Sequence, residues 1–425
     1  MSAEISERIY DDVKRFFAIN QQQKFVRGKT KISLQVPSFG ADEINEAIES
    51  LLSTWLTMGK KVRMFEEAFA SYLGSKYAVM VNSGSSANLL SLSILTNPQY
   101  KGYIPAGSEV ITPAVTWVTT VYPIANVNLL PVLVDIEVDT FCIDTDQIRK
   151  AITPKTKAIM PVHLLGNPAN MDEIMEIASK HDLYVIEDTC ESHGAEINGD
   201  KVGTIGDIGT FSFFLSHHIT TIEGGMLVTD DERIYEIAKA MRAFGWIRDL
   251  KEKEKIVAMH KDLDSRFLFV NMGYNFRPTE IQGAFGIHQI KKLEKFINIR
   301  QKNADYWNKR LEQFSDYFII HKQRPKTRHV WFAYQITVKP NAPFTKKELA
   351  AHLESNLIET RPVEASDITQ QPVIEMFKHR IQGDLKNSRL IHANSFFIGN
   401  HQGIGKDERE YVADTIEEFV KKAER

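Results

Sequence analysis

Cysteine is scarce in this chain: its 425 residues include two cysteines, Cys142 and Cys190. So few thiols exclude a disulfide framework, and an iron–sulfur cluster that needs four cysteines cannot be built within one chain. Neither sign of charge is in excess, because 52 basic residues stand against 55 acidic ones. The clustered basic face of a nucleic-acid-binding protein is therefore not expected.

Long apolar runs are missing as well. None reaches the roughly 20 residues that a membrane-spanning helix requires. The N-terminal stretch 1–17 is charged throughout and lacks the apolar core of a signal peptide. The sequence therefore predicts a soluble cytoplasmic protein that binds neither a membrane nor a nucleic acid.

Three segments differ in their hydrophobic patterns. Residues 1–38 predict a short helix and an irregular arm. Residues 39–295 alternate apolar runs with helical patterns, which indicates a large α/β domain with a mostly parallel central sheet covered on both faces. Residues 296–425 predict a smaller α+β C-terminal domain. The runs that predict strands of the large domain are Tyr77–Val81, Val110–Thr112, Val132–Val134, Ala158–Val162, Tyr184–Ile186, Thr210–Phe213 and Met226–Val228.

A turn of small residues, Asn82–Asn88, lies between a predicted strand and a predicted helix. Small side chains let the backbone approach a ligand, and a helix N-terminus offers free N–H groups and a favourable dipole to a phosphate. An ordinary strand-to-helix turn rich in capping residues would look the same.

Two acidic residues, Glu187 and Asp188, end a predicted buried strand. Ligands of open α/β sheets collect at that edge, where a carboxylate can hold a protonated pyridine nitrogen. A helix cap or a structural acid is the alternative.

The adjacent histidines His217 and His218 precede Glu223-Gly224-Gly225. In an extended segment their side chains would point to opposite sides, one to a pocket and the other to its wall. A metal pair lacks support from any cysteine or HxxxE-type spacing, so no metal site is predicted. A hydrogen-bonded core histidine remains the alternative for each.

From about residue 36 to the C-terminus, the chain resembles the sugar-modifying aminotransferases of fold type I, which bind pyridoxal 5′-phosphate (PLP). The resemblance implies the fold of a PLP-dependent transferase and a homodimer with shared active sites. It also implies that Asn275, within Gly273–Arg277, reaches the cofactor of the partner subunit. The other residues that it assigns to the cofactor are Gly84, Ser85, Ser86 and Ser212 at the phosphate, Asp188 under the pyridine nitrogen, Trp117 on the ring and Glu191 near the 3-oxygen.

His217 stands where ordinary members of that family carry the lysine that binds PLP covalently. Imidazole forms no stable imine, but it can act as a general base near neutral pH. A small branch of the family, the C3-dehydratases of deoxysugar pathways, has this replacement. The stretches Asn82–Leu90, Leu164–Pro168, His217–Thr220 and Glu359–Pro362 resemble that branch.

The branch divides again between dehydratases with and without a [2Fe–2S] cluster. The cluster-bearing enzymes act on CDP-hexuloses and carry cysteines in the segment that corresponds to Trp246–Phe267, which has none here. The stretches Arg242–Arg248 and Gly273–Pro278 are similar to the subgroup that acts on GDP-4-keto-6-deoxy-D-mannose. The first 30 or so residues look more like the extension of the cluster-bearing enzymes, so the nucleotide stays open.

These resemblances imply an enzyme that uses PLP and pyridoxamine 5′-phosphate (PMP), without an iron–sulfur cluster, to deoxygenate a nucleotide-linked 4-keto-6-deoxyhexose at C3. L-Glutamate would be the amino donor and His217 the catalytic base, with His218 and Arg361 as candidates for substrate binding. The alternatives are a nucleotide-sugar 4-aminotransferase, a CDP- or dTDP-sugar 3-dehydratase and a noncatalytic sugar-sensing relative.

Overall fold

A computed structural model describes residues 2–20 and 24–425. In these residues the α-helices are α1 (Ser2–Asn20), α2 (Ala41–Ser53), α3 (Lys60–Leu73), α4 (Gly84–Leu95), α5 (Val118–Asn126), α6 (Thr145–Ala151), α7 (Met171–His181), α8 (Glu232–Arg242), α9 (Lys253–Met259), α10 (Glu280–Gln289), α11 (Leu293–Leu311), α12 (Lys346–Ser355), α13 (Lys386–Asn394) and α14 (Lys406–Ala423). The strands are β1 (Tyr77–Val81), β2 (Glu109–Pro113), β3 (Leu130–Val134), β4 (Thr156–Ile159), β5 (Tyr184–Asp188), β6 (Glu196–Ile197), β7 (Asp200–Lys201), β8 (Ile208–Ser212), β9 (Gly225–Thr229), β10 (Phe318–Ile319), β11 (Thr327–Arg328), β12 (Ala333–Val338), β13 (Thr360–Pro362), β14 (Arg380–Ile381) and β15 (Ser395–Gly399).

The large sheet has eight strands in the order β1-β9-β8-β5-β4-β2-β3-β14. Strand β9 runs antiparallel to β1 and β8, and the other neighbouring pairs are parallel. The sheet is therefore mostly parallel, and the predicted α/β class is confirmed.

Apolar side chains cover both faces of this sheet. On one face the rings of Phe65, Phe69 and Phe213 meet edge to face or tilted, within 5.8 Å of one another. On the other face, Leu90 and Ile94 of α4 lie in a second buried cluster. A parallel sheet buried on both sides needs strands that are apolar along their whole length, which explains the continuous apolar runs in the sequence.

A second sheet is antiparallel, in the order β10-β12-β15-β13. The N-terminal arm lies against it: Ile32 donates its N–H to Leu357 O at 2.8 Å and accepts from Glu359 N at 2.9 Å. Between β13 and β15 of the small sheet, the chain returns to the large sheet, where β14 pairs with β3.

Two local features differ from the sequence-based expectations. The segment around His217 and His218 is a turn rather than an extended strand, with His217 N–H donating to Phe214 O at 3.0 Å. The apolar run Val330–Val338 predicts a strand, but β12 begins at Ala333, because Trp331 has a left-handed backbone with φ of 49°. No helix in the described part of the chain is long and apolar enough to cross a membrane.

Candidate active site

The turn after β1 and the end of β8 meet at one edge of the large sheet. Gly84 begins α4, and a Cβ on Gly84 would lie 2.5 Å from the Cβ of Ser212, so that only glycine allows this approach. The helix is capped by Ser83, whose Oγ accepts from Ser86 N at 3.1 Å. The turn therefore presents the N-terminus of α4 beside Ser212, as an anion site requires.

Ser85 and Trp117 line the open side of this edge. Ser85 is exposed and donates its hydroxyl to Thr119 Oγ1 at 3.0 Å. Trp117 is the N-cap residue of α5, and its side chain is 45% exposed. A flat aromatic ring left open at this position can receive another ring on its face.

Asp188 is buried at the end of β5 and held by three donors. Its Oδ2 accepts from Asn88 Nδ2 at 2.9 Å and from Thr120 Oγ1 at 2.8 Å, and its Oδ1 accepts from Cys190 N at 3.2 Å. Thr210 Oγ1 in turn donates to Asn88 Oδ1 at 2.6 Å. The carboxylate is thereby fixed in one orientation, which suits a partner that must meet it from a single direction.

Asn88 and Thr120 were not among the residues that the sequence singled out for the cofactor. Asn88 is the last residue of the small-residue turn, but nothing in the sequence links it to an acid on another strand. Thr120 follows Trp117 closely and looks like any helix residue. Their roles follow from the packing of α4 and α5 around β5.

His217 lies with Nδ1 buried, and this atom finds no hydrogen-bond partner among residues 2–20 and 24–425. Burial, assisted by the positive charge of Arg300, lowers the pKa of His217 to about 3. The ring of Phe332 packs against it, with the two ring centroids 5.4 Å apart. The imidazole is therefore neutral at neutral pH and able to accept a proton.

His218 is fully buried, and its Nε2 lies 3.0 Å from Val330 O. Because a carbonyl oxygen only accepts, this nitrogen carries the hydrogen. Burial lowers the pKa of His218 well below its ordinary value. Its expected contact with substrate stays a prediction that full burial does not favour.

The remaining candidates lie at different depths. Glu191 is buried and accepts from Leu165 N at 2.7 Å. Arg361 is exposed on β13. Asn275 is exposed, and its Oδ1 accepts from Arg277 Nε at 2.9 Å. In the described residues no hydrogen bond links Asn275 or Arg361 to the other candidates.

The residues present fit a phosphorylated pyridine. At the start of α4 the N–H groups of Gly84 and Ser85 have no hydrogen-bond partner among the described residues and can bind a phosphate, and the fixed carboxylate of Asp188 can pair with a pyridine N–H. The neutral ring of His217 supplies a proton acceptor. Among the described residues no group of three or more His, Cys, Asp or Glu side chains is arranged to hold a metal ion.

The comparisons with known proteins agree with this chemistry. The DegT/DnrJ/EryC1/StrS aminotransferase family matches residues 37–417. A GDP-4-keto-6-deoxy-D-mannose 3-dehydratase of Escherichia coli O55:H7 is 42% identical over 87% of this chain and 96% of its own length. A dTDP-4-dehydro-2,6-dideoxy-D-glucose 3-dehydratase of Saccharopolyspora spinosa is 34% identical over 100% of this chain and 94% of its own length. The crystal structure of a GDP-4-keto-6-deoxymannose-3-dehydratase with a trapped PLP–glutamate geminal diamine superposes with a TM-score of 0.84 and 39% identity, covering 91% of this chain and 100% of that one.

Proposed function

The chain belongs to the DegT/DnrJ/EryC1/StrS aminotransferase family, and we propose that it is a PLP- and PMP-dependent 3-dehydratase of a nucleotide-linked 4-keto-6-deoxyhexose. The observation that carries the proposal is the neutral imidazole of His217, which the resemblance puts at the position of the family's lysine. A base that cannot bind the cofactor covalently leaves the cofactor's amine free to react with the ketone of a sugar. The intact set of cofactor residues around it argues against a noncatalytic sugar sensor.

GDP-4-keto-6-deoxy-D-mannose is the proposed substrate and L-glutamate the proposed amino donor. The relative that acts on the GDP-sugar is 42% identical, against 34% for the relative that acts on a dTDP-sugar. The PLP–glutamate adduct in the related crystal structure supports glutamate. The proposed product is a 4-keto-3,6-dideoxy sugar.

Each residue of the site has a task in this reaction. When bound, the cofactor would supply an amine that can react with the sugar ketone and an electron sink. The N-terminus of α4 and Ser212 would hold its phosphate, and Trp117 would cover one face of its ring. Asp188 would keep its ring nitrogen protonated, and His217 would take a proton from its methylene carbon. In the overall reaction, sugar and glutamate give deoxygenated sugar, 2-oxoglutarate and ammonia. Glutamate therefore supplies the two electrons that reduce C3 of the sugar when its C–O bond is broken.

A product assay tests this proposal. The protein is incubated with PLP, L-glutamate and, in turn, GDP-, CDP- and dTDP-linked 4-keto-6-deoxyhexoses, without iron or a reductase. We expect C3 deoxygenation without iron or a reductase, because neither Cys142 nor Cys190 has the three further thiolates that a cluster needs. The reaction should be fastest with the GDP-sugar. An absolute requirement for a reductase, or an amino-sugar as the product, would contradict it.

We further propose a homodimer in which Asn275 reaches the cofactor of the partner subunit. Large apolar side chains close to Asn275 in sequence are exposed in the single chain, as a subunit interface would require. They are Phe267, Phe269 and Met272. A shared site implies two-fold symmetry, because each subunit gives the loop that it receives. The proposed location is the cytoplasm, where nucleotide sugars and glutamate are made.

A further inference from the structure

A third histidine lies next to His217 and His218 in the fold. His193 is fully buried, and its ring centroid lies 6.0 Å from that of His217 and 5.7 Å from that of His218. Neither ring nitrogen of His193 has a hydrogen-bond partner within residues 2–20 and 24–425, and the same holds for Nδ1 of His217 and Nδ1 of His218. Because buried polar atoms are rarely left unpaired, we expect these four nitrogens to pair within the cluster.

The other rings around His193 cannot satisfy its nitrogens. They are the phenyl groups of Phe69, Phe211 and Phe213, whose centroids lie 6.4, 5.6 and 5.6 Å from that of His193. Two imidazoles joined by a hydrogen bond have centroids roughly 5 Å apart. The three histidine rings can therefore pair directly after approaching by about 1 Å or less, which is the size of ordinary side-chain displacements.

The direction of these hydrogen bonds follows from the carbonyl of Val330. Since Val330 O only accepts, Nε2 of His218 carries the hydrogen and Nδ1 of His218 has a lone pair. Burial lowers the pKa of His193 well below its ordinary value, so this ring is neutral, with one N–H and one lone pair. Its N–H has two acceptors within reach, His218 Nδ1 and the backbone carbonyl of Ser212. With either acceptor, the lone pair of His193 remains for His217.

This lone pair selects one tautomer of His217. The other ring in contact with His217 is that of Phe332, which has no nitrogen or oxygen to accept a hydrogen bond. Nδ1 of His217 is the buried nitrogen of its ring, and we expect it to carry the hydrogen and to donate it to His193. Nε2 of His217 is then the basic nitrogen, because a hydrogen bond at one ring nitrogen of histidine decides which nitrogen is free to take a proton.

We propose that His193 is a positioning residue that holds His217 in the tautomer with its lone pair on Nε2, ready to take a proton. The inference rests on the proposed function, in which His217 is the base. His193 acts through His217 and exchanges no proton itself. Once Nε2 of His217 is protonated, its Nδ1–H belongs to a cation and donates a stronger hydrogen bond, so the same contact also stabilises the charged base. Buried partners orient catalytic and metal-binding histidines in this way in other enzymes.

Nitrogen-15 NMR of the PMP-bound protein, labelled in its histidines, tests the tautomer directly, because protonated and bare ring nitrogens resonate far apart. Free histidine in water prefers hydrogen on Nε2, whereas His217 should have it on Nδ1. The spectrum of His217→Asn, which lacks these signals, assigns them. In His193→Phe, which fills the space without a lone pair, His217 should shift towards the Nε2–H form. A wild-type His217 in the Nε2–H form would overturn the inference.

Single-turnover deoxygenation by PMP-loaded enzyme tests the consequence for the reaction. In His193→Phe the rate at saturating sugar should fall roughly 10–100-fold, by analogy with residues that orient metal-binding histidines, while PMP affinity stays unchanged. His193→Gln, whose amide has both a donor and an acceptor, should recover much of the rate. His352→Phe is the matched control: His352 on α12 is half-buried with an unpaired Nε2 among the described residues, and its variant should react as wild type does.

A wild-type rate in His193→Phe, or weaker PMP binding that accounts for its slower reaction, would overturn the role of His193. If His193→Phe does not fold, the wild-type NMR spectrum and the rate of His193→Gln decide the question. A wild-type enzyme that gives no deoxygenated sugar would instead overturn the proposed function, and the NMR spectrum would still report the tautomer of His217.

Discussion

His217 and His218 are chemically identical neighbours in different surroundings. His218 is fully buried and donates its Nε2–H to a backbone carbonyl, whereas His217 is only half-buried; Nδ1 of each ring has no hydrogen-bond partner among the described residues. We predict that His217→Asn still binds PMP and loses sugar deoxygenation by roughly 10²–10⁴-fold, because a general base has been removed. Steady-state assays with a parallel PMP titration measure both quantities.

His260→Asn provides the control for that substitution, because His260 is exposed and should tolerate the change with full activity. His217→Lys should regain covalent attachment of PLP, visible as a shifted absorption band. Wild-type turnover in His217→Asn would refute the role of His217 as the base.

His401 links the N-terminal arm to the C-terminal region in a way that depends on pH. Its Nε2 donates to Ser33 O at 3.0 Å while Nδ1 accepts from Gly403 N at 3.2 Å, so the bonds require the neutral ring. Burial lowers the pKa of His401 from 6.5 to about 4. Because the folded pKa lies below the unfolded one, the contribution to stability is complete above 6.5 and is lost as the pH falls towards about 4.

The shift corresponds to roughly 3 kcal/mol at most. Urea unfolding at neutral pH and at about pH 4 measures it: wild type should lose more unfolding free energy between the two than His401→Gln, which does not titrate. Equal losses in the two proteins would show that His401 does not contribute.

The sequence identifies the residues whose chemical type is unusual for their position. Asp188 at a strand end and His217, where the family resemblance implies a lysine, stand out in this way. Asn88 and Thr120 do not, because an amide and a hydroxyl are common in helices and their partner is 100 and 68 residues away.

At the scale of elements, α4 and α5 together hold the acid at the end of β5. We predict that Thr120→Val, which keeps the side-chain shape but removes the donor to Asp188 Oδ2, weakens PLP binding about tenfold. A hydrogen bond to a charged group is worth roughly 1.5–3 kcal/mol, and about 1.4 kcal/mol is tenfold in affinity. Fluorescence titration of PLP measures the change.

Thr57→Val, at an exposed position, should bind PLP as wild type does. Unchanged affinity in Thr120→Val would mean that Asn88 and the backbone orient Asp188 without it.

Hydrophobic periodicity predicted the elements well where one pattern persists. Strand β1 matches the predicted Tyr77–Val81. The spacing of Thr345 and Glu348 is typical of a capping box, and the structure has one at the start of α12. The start of β12 was missed, because the left-handed turn at Trp331 depends on tertiary packing and not on the local sequence.

At the scale of the whole molecule, the return of the chain to form β14 was not predictable. A two-residue strand has no periodicity, and its partner β3 lies about 250 residues earlier in the chain. The short helix predicted within residues 1–38 is α1, and Phe16 on that helix is 63% exposed in the single chain. An amphipathic pattern predicts that the apolar face of a helix is buried, but it does not identify the surface against which that face packs.

The proposed shared site predicts complementation between subunits. Asn275→Ala, once shown to weaken PMP binding, and His217→Asn should each be inactive alone. Mixed after dissociation, the two chains should recover about one quarter of wild-type activity, since half of the dimers are mixed and each has one intact site. Mixed dimers without activity would contradict the arrangement.

The central claim is that this chain deoxygenates a sugar instead of aminating it. The fate of the glutamate nitrogen tests this claim most directly. With ¹⁵N-labelled L-glutamate, PLP and GDP-4-keto-6-deoxy-D-mannose, mass spectrometry and NMR follow the label. The account predicts one labelled ammonia and one 2-oxoglutarate for each 4-keto-3,6-dideoxy sugar, with no label in the sugar. Label retained in a 4-amino sugar, with its C3 hydroxyl intact, would contradict it.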